Sequence, residues 1–422
     1  MVGNQNYGER MSSIFSSESV SEGHPDKLCD VISDSILDAC LTLDPNARVA
    51  VETMVKGTEK KSFIFISGEI TTSSDIEVDY EKIARIAAIN VGYNDHEVGM
   101  DASSSDLCEV TVKITKQSPD ISQGVDLGKG LHEGHGAGDQ GLMFGFACDE
   151  TDPYSSLQEV LMPLPIALSQ RLTLAMTKGI KSGLLKWGRP DSKSQVSIEY
   201  GSDGKPIRAD TIVVAIQHLD MLDSFENEHE EHNFIESEIT KKIVYKVIPQ
   251  QLIDENTRIL VNGTGRFVKG GPYADAGLTG RKIIVDTYGG TGRHGGGAFS
   301  GKDSSKVDRS AAYAARWAAK HVVRSAIAKR CEIQLAYAIG VSEPVSVNVN
   351  TFGTGTITDS ELKSKITKIF DFRPHAIIEN LGLRRPIYLS TASGGHFGRE
   401  PRENGSFSWE KINQELIDSL IL

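Results

Sequence analysis

One order of elements, a helix, a two-strand hairpin, a helix and a strand, recurs three times along this chain. It predicts an α+β fold of three structurally similar subdomains, each a β-sheet with helices on one face. Two periodicities carry the reading. Apolar residues alternate in short runs such as Ser346-Val347-Asn348-Val349-Asn350, and they return at three- and four-residue spacing in the longer ones. Length is the third observation, because 422 residues exceed what one ordinary core organises.

The first copy has a helix over 26–42, strands over 48–56 and 62–70, a helix over 76–91 and a strand over 109–116. The second has a helix over 163–180, strands over 195–200 and 209–218, a helix over 233–247 and a strand over 258–262. The third runs from an alanine-rich helix over 308–330 through strands 332–338 and 344–352 to a helix over 359–370 and a strand over 387–390. Two segments escape the pattern. Residues 149–157, with Pro153 and two serines, read as a surface loop, and the acidic stretch 223–238 reads as the start of a solvated helix.

A net charge of −12 argues against a nucleic-acid or anionic-membrane surface. Within it, Arg266, Lys269, Arg281, Lys282, Arg293, Lys302, Lys306 and Arg309 crowd one glycine-rich stretch, which suits a small polyanion. Cysteines 29, 40, 108, 148 and 331 form no C-x-x-C pair and read as reduced thiols. The first twenty residues lack an apolar leader core, and no apolar run reaches membrane-spanning length. A cytoplasmic, soluble protein is expected.

The run Gly295-Gly296-Gly297-Ala298-Phe299-Ser300-Gly301-Lys302-Asp303 has P-loop spacing from Gly296, but Asp303 stands where a Ser or Thr would bind magnesium. It follows a strand-like 282–286 and precedes the long helix, so backbone N–H groups could face an anion. Three glycines alone would equally make a flexible turn. Lys302, Lys306, Asp303 and Asp308 in the same stretch favour a phosphate and metal site, and an Asp can itself ligate Mg²⁺.

Gly23-His24-Pro25-Asp26-Lys27 places an imidazole, a carboxylate and an ammonium at a helix start, where phosphate is favoured. Gly136-Ala137-Gly138-Asp139-Gln140-Gly141 presents one carboxylate between glycines, as a ligand-facing loop or a plain turn would. His132/His135 and His229/His232 are three apart and lack a third ligand, which argues against zinc. Tyr313 and Trp317, four apart, read as core.

In this order, these three motifs resemble the S-adenosylmethionine synthetase family, as do Lys116-Gln117-Ser118-Pro119-Asp120, Arg189-Pro190-Asp191 and Gly277-Leu278-Thr279-Gly280-Arg281-Lys282. The resemblance runs from about Phe15 to Trp409. It implies three subdomains about a pseudo-threefold axis, here 14–116, 133–268 and 269–409, with 117–132 as a mobile active-site loop and linker. The implied reaction joins methionine sulfur to C5′ of ATP, expelling tripolyphosphate that is hydrolysed to diphosphate and phosphate.

By motif, the resemblance implies catalytic roles for His24, Lys193, Arg281 and Lys302. It implies ATP contacts from these and from Asp191, Thr264, Arg266, Phe267, Asp275, Lys282, Ala298 and Asp308. Methionine would meet Glu69, Gln117, Asp139, Asp275, Lys306 and Ile339. Asp26 would hold one of two Mg²⁺ ions per site, Asp308 would lie near Mg²⁺, and Glu52 would serve K⁺. A homodimer or homotetramer with active sites at the subunit interface is implied, with ATP and L-methionine as ligands. The stretch 152–160 is longer than in many relatives, and 129–135 is variable. The competing readings are a P-loop-like NTPase or kinase and a non-catalytic regulatory relative.

Overall fold

The computed structural model describes residues 12–72, 77–116 and 136–422. Its strands are β1 (Ser13–Val20), β2 (Arg48–Gly57), β3 (Ser62–Thr71), β4 (Asn94–Asp95), β5 (Met100–Asp101), β6 (Cys108–Thr115), β7 (Gly141–Cys148), β8 (Gly188–Tyr200), β9 (Pro206–His218), β10 (Arg258–Val261), β11 (Gly277–Leu278), β12 (Arg330–Tyr337) and β13 (Ser346–Asn350). Three main sheets form among the described residues, in the orders β11-β2-β3-β6, β1-β8-β9-β10 and β13-β12-β7. The α+β class with three sheets is as expected.

Each sheet borrows a strand from another part of the chain. β1 pairs with β8 of the central segment, β7 of the central segment pairs with β12, and β11 pairs with β2. The expected boundaries therefore divide chain segments, while the sheets lace those segments together.

Within the first sheet, β2 and β3 are antiparallel and β3 and β6 parallel. Alternation buries Val49, Val51, Val55, Ile64 and Ile66 beneath the helices Pro25–Leu43 and Tyr80–Val91. Register puts Met54 opposite Phe65, Glu52 opposite Ser67 and Ala50 opposite Glu69 on the other face. That face stays open, with Met54, Phe63, Phe65 and Leu278 all exposed. The second sheet packs on the helix Leu164–Lys181 around its own core of Leu168, Leu172, Val196, Ile212 and Val214. The third packs on the helix Val307–Arg324 and shares its core with the first.

Two expected strands are corrected. Residues 283–286 form a short helix, Ile283–Asp286, although their side chains favour a strand. Tertiary contacts override the propensity: Asp286 turns inward to ion-pair the buried Lys27 at 2.5 Å, and Gln170 donates to the Val285 carbonyl at 2.9 Å. The strand at 387–390 is replaced by the helical turn Leu389–Thr391, because Asp38 accepts the amides of Tyr388 and Leu389 at 3.0 and 2.8 Å. β1, β7 and β11 were missed. The loop at 149–157 is anchored by buried Tyr154 and Leu157.

The helix Pro25–Leu43 organises the whole. Asp26, Asp30, Asp34 and Asp38 recur every fourth residue, so they share one face. Each accepts backbone amides from the C-terminal half: Leu278 on Asp26, Gly280 on Asp30, Gly301 on Asp34, and Tyr388 with Leu389 on Asp38. Asp34 also takes both terminal nitrogens of buried Arg309, at 2.8 and 2.9 Å. Asp34→Ala would strand that guanidinium and should lower stability by about 3–5 kcal/mol in urea denaturation. A loss below about 1 kcal/mol would contradict this role for the pair.

Candidate active site

The first cluster sits at the start of the Pro25–Leu43 helix. His24 is the N-cap, and its Nδ1 accepts the Asp26 amide at 3.1 Å, which leaves the ring proton on Nε2. Burial, then the charges of Lys282 and Lys193, push its pKa down to about 3, so the ring is neutral. Asp26 bonds Lys282 at 2.5 Å, and the Arg281 guanidinium stands 3.8 Å away. Burial alone would raise the Asp26 carboxyl, but Lys282 and the Leu278 amide overcome it and hold it below its ordinary value.

Beneath these groups Lys27 is fully buried between Asp30 at 2.8 Å and Asp286 at 2.5 Å. Burial pushes Asp30 up to about 7 and also raises Asp286, while Lys27 opposes both shifts.

β8 brings Asp191 and Lys193 to the same place, with Lys193 opposite Val20 of β1. Asp191 accepts the Gly271 amide through Oδ2 at 2.9 Å, while its buried Oδ1 has no partner among the described residues. Burial pushes its carboxyl up to about 6. Such an acceptor is suited to a ligand hydroxyl. Thr264 is exposed, Arg266 and Phe267 are half-buried, and Asp275 is exposed on the segment that runs from β10 to β11. His218 ties that segment down, its Nε2 accepting the Phe267 amide at 2.9 Å. Arg266 is engaged by Glu231 at 2.8 Å and by Asp220.

The second cluster is built on the glycine run, which docks against the edge of β2. The Gly301 carbonyl accepts from Val51, the Asp303 amide donates to Val49, and Ala50 bridges Lys302. Close approach explains two of the glycines. A Cβ on Gly295 would lie 1.6 Å from the Leu142 carbonyl oxygen, and one on Gly297 would lie 2.3 Å from Asp308. Arg309 holds the run from below, donating to the carbonyls of Phe299 at 2.9 Å and Lys302 at 3.2 Å. His294, missed in the sequence, accepts the Gly296 amide at 2.8 Å.

A P-loop needs a strand before the glycines, and here the short helix Ile283–Asp286 stands in its place. Asp303 is also not free to hold a metal. It is buried, accepts the Val49 amide at 2.7 Å, the Ser305 amide at 2.8 Å and Lys306 Nζ at 2.6 Å, and those donors hold its carboxyl low against burial. The reading of Asp303 as a magnesium ligand is thereby corrected. Lys302 instead pairs with the partly exposed Asp308 at 2.7 Å.

A cleft of about 470 Å³ opens beside Lys302, lined by Glu52, Ser67, Glu69, Lys113, Thr279 and Ala298 among others. Asp139 and Ile339 are brought near one another by a bridge between Ala137 and Ile339, and Gly141 lies close to Asp308, whose Oδ1 would stand 3.5 Å from a Cβ there. Gln117, the expected mobile loop and the His132/His135 pair lie outside the described residues. Among the described residues no three acidic, His or Cys side chains converge as a metal cage, and no hydrogen bond or ion pair joins the His24 cluster to the Lys302 cluster. All five cysteines are buried and unpaired.

Cations set on carboxylates, a neutral histidine and an unpartnered acceptor are chemistry that suits a phosphorylated ligand. Comparison with known proteins gives the family. Models of the N-terminal, central and C-terminal domains of S-adenosylmethionine synthetase match residues 12–119, 134–267 and 269–411. The S-adenosylmethionine synthase of Sorangium cellulosum is 52% identical over 409 residues, covering 96% of this chain and 90% of that one. Those of a Nocardioides species and Clostridium tetani are each 51% identical, over 95% and 97% of this chain and 96% and 100% of theirs. The chain belongs to the S-adenosylmethionine synthetase family. Its activity is therefore that of a methionine adenosyltransferase, forming S-adenosylmethionine from ATP and L-methionine.

The depressed His24 pKa has a consequence for stability. The unfolded histidine protonates near 6.5 and the folded one near 3, so its contribution is present above pH 6.5 and is lost as pH falls toward 3. His24→Gln should therefore lose about 2 kcal/mol less than the parent between pH 7 and 4.5, measured by urea denaturation. His321 and His396 titrate alike in both proteins, so equal losses would mean that His24 is not buried neutral.

Proposed function

We propose that the His24 and Lys302 clusters divide the work of one substitution reaction, with each active site drawing the first from one chain and the second from a partner copy. The observation that carries this is the open apolar face of Met54, Phe63, Phe65 and Leu278 beside the cleft, in a chain where no hydrogen bond or ion pair joins the two clusters among the described residues. An exposed apolar sheet face of this kind suits an isologous contact between two copies.

A thioether attacks carbon through a neutral lone pair, so the synthetic step needs no general base. Its barrier lies in alignment and in the charge that grows on the leaving polyphosphate. His24, neutral and carrying its proton on Nε2, donates a hydrogen bond to the phosphate chain. Lys193, Arg281, Lys282 and Lys302 supply positive charge, and Asp191 Oδ1 accepts a ribose hydroxyl. Arg266 and Phe267, with Thr264, hold the base. Glu69, Asp139, Lys306 and Ile339 form the methionine side with Gln117, and Asp275 lies near both substrates. The subdomain division at 14–116, 133–268 and 269–409 goes with these roles.

The residues fit two Mg²⁺ ions. Mg²⁺ at polyphosphate sites takes few protein ligands and many substrate and water oxygens, so Asp26, with Asp308 nearby, suffices without a cage. When bound, Mg²⁺ neutralises charge on the phosphates. Glu52, on the open face of β2, suits K⁺.

The direct test is product analysis with ATP, methionine, Mg²⁺ and K⁺. Methionine-dependent release of all three phosphates with a sulfonium nucleoside is expected, whereas ADP formed without methionine would overturn the reading. Lys302→Ala should lower turnover by about 100-fold or more with little change in the methionine KM. An effect confined to that KM would contradict the role. The shared site has its own test. His24→Asn and Lys302→Ala chains, each inactive alone, should on mixing and reassociation recover about a quarter of parent activity, because half the dimers are mixed and each of these has one intact site. No recovery would place the whole site within one chain.

A further inference from the structure

A second cleft lies between the helix Leu164–Lys181 and the turn from Gly394 to Phe407, and it shares no lining residue with the cleft beside Lys302. It encloses about 310 Å³, and Arg171, Arg399 and Arg402 line it with Glu400, Leu174 and Phe407. The turn is built for close approach. Gly394, Gly395 and Gly398 all have φ between 73° and 82°, and a Cβ on Gly395 would lie 2.0 Å from Gln170 Nε2. A Cβ on Gly394 would lie 2.9 Å from Arg399 Nη1, so the glycine also makes room for that guanidinium.

Among the described residues none of the three arginines has a carboxylate within 4.0 Å. The contrast within the molecule is sharp: buried Arg309 and Arg316 each grip a carboxylate with two nitrogens, Asp34 and Glu410. Arg399 donates only to the carbonyls of Ser393 at 2.8 Å and Gly395 at 3.2 Å through Nη1. It and Arg402 both lie on the Phe407 ring, 4.7 and 5.5 Å from its centre, so two like charges share one aromatic support. Burial, then the charge of Arg402, push Arg399 down to about 10. Glu410 opposes that shift, and Glu400 acts on Arg171 from beyond ion-pair distance. One lining carboxylate against three guanidiniums leaves the cleft positive in a chain of net charge −12.

We propose that this cleft binds a small phosphate-type oxyanion, of the size of orthophosphate or diphosphate, held by the forks of Arg171, Arg399 and Arg402. Planar guanidiniums match such oxygens with paired N–H donors, and an anion would offset the mutual repulsion of Arg399 and Arg402.

The test is calorimetric titration of inorganic diphosphate, and separately orthophosphate, into the intact Lys302→Ala enzyme and into the same enzyme carrying Arg171→Ala and Arg402→Ala. Lys193, Arg281 and Lys282 remain in both proteins, so the first should bind one more equivalent of diphosphate per chain than the second, or bind that equivalent tighter by about tenfold or more, because each phosphate-binding fork removed costs a charge-assisted contact. Equal binding by the two proteins would overturn the proposal, as would no binding by the first. Arg402 is exposed, so Arg402→Glu alone gives the same reading should the combined variant fail to fold. Binding of a polyglutamate peptide with no competition from diphosphate would point to an acidic partner segment and also overturn it.

Discussion

Four aspartates spaced by one helical turn hold this molecule together. Asp26, Asp30, Asp34 and Asp38 lie along one face of the Pro25–Leu43 helix, and each captures amides from a segment more than 200 residues away in sequence. Buried carboxylates are costly unless their oxygens are satisfied. Here amides and the cations Lys282, Lys27 and Arg309 satisfy them, so the cost of burial becomes a demand for register. Displacement of any one loop would leave a carboxylate of the ladder short of a backbone donor. The ladder thus fixes β11, the glycine run and the turn at 389–391 relative to His24. Of these, the segment after β11 and the glycine run carry cations for the phosphates under the proposed roles.

The glycine run shows how a motif's spacing can mislead when its surroundings differ. In a P-loop the glycines bend a strand-to-helix connection around a phosphate. Here Gly295, Gly297 and Gly301 instead let the backbone press against Leu142, Asp308 and Val51. Asp303 is spent on Val49 and Lys306, which pins the run to the edge of β2. Lys302 projects from this rigid support with its carbonyl held by Arg309. The Asp that breaks the P-loop pattern is thus a strut, and its role is positional.

Regular elements were legible because their signals are local. The helix over 26–42 and the strands over 48–56 and 62–70 emerge within two residues of expectation, since amphipathic period and strand alternation act over a few residues. β11, two residues long, carries no periodicity at all. β1 and β7 gave too little local signal, because their partners lie in other segments. Residues 283–286 misled for the opposite reason: a β-branched run is overruled when one member must reach Lys27. His24, Asp26 and Lys282 were legible as chemistry and do converge in space. The aspartate ladder was printed in the sequence as a four-residue repeat, yet a repeat of acids on a helix ordinarily means a solvated face. Only the loops packed over it reveal burial.

Two lysines proposed for phosphate, Lys282 and Lys302, and one proposed for methionine, Lys306, share a circumstance that bears on mechanism. Lys282 rests on Asp26, Lys302 on Asp308 and Lys306 on Asp303. An anion that draws Lys282 or Lys302 away leaves a carboxylate beside the phosphate, which is the geometry a divalent cation seeks. Substrate and metal would therefore reinforce one another, each taking the partner the other leaves. Asp26 and Asp303 are both buried, but Asp303 accepts two backbone amides where Asp26 accepts one, so Lys306 has less freedom to leave it. That difference separates Lys306 from the phosphate lysines. It suits a group that meets the small, fixed carboxylate of an amino acid better than one that follows a departing polyphosphate.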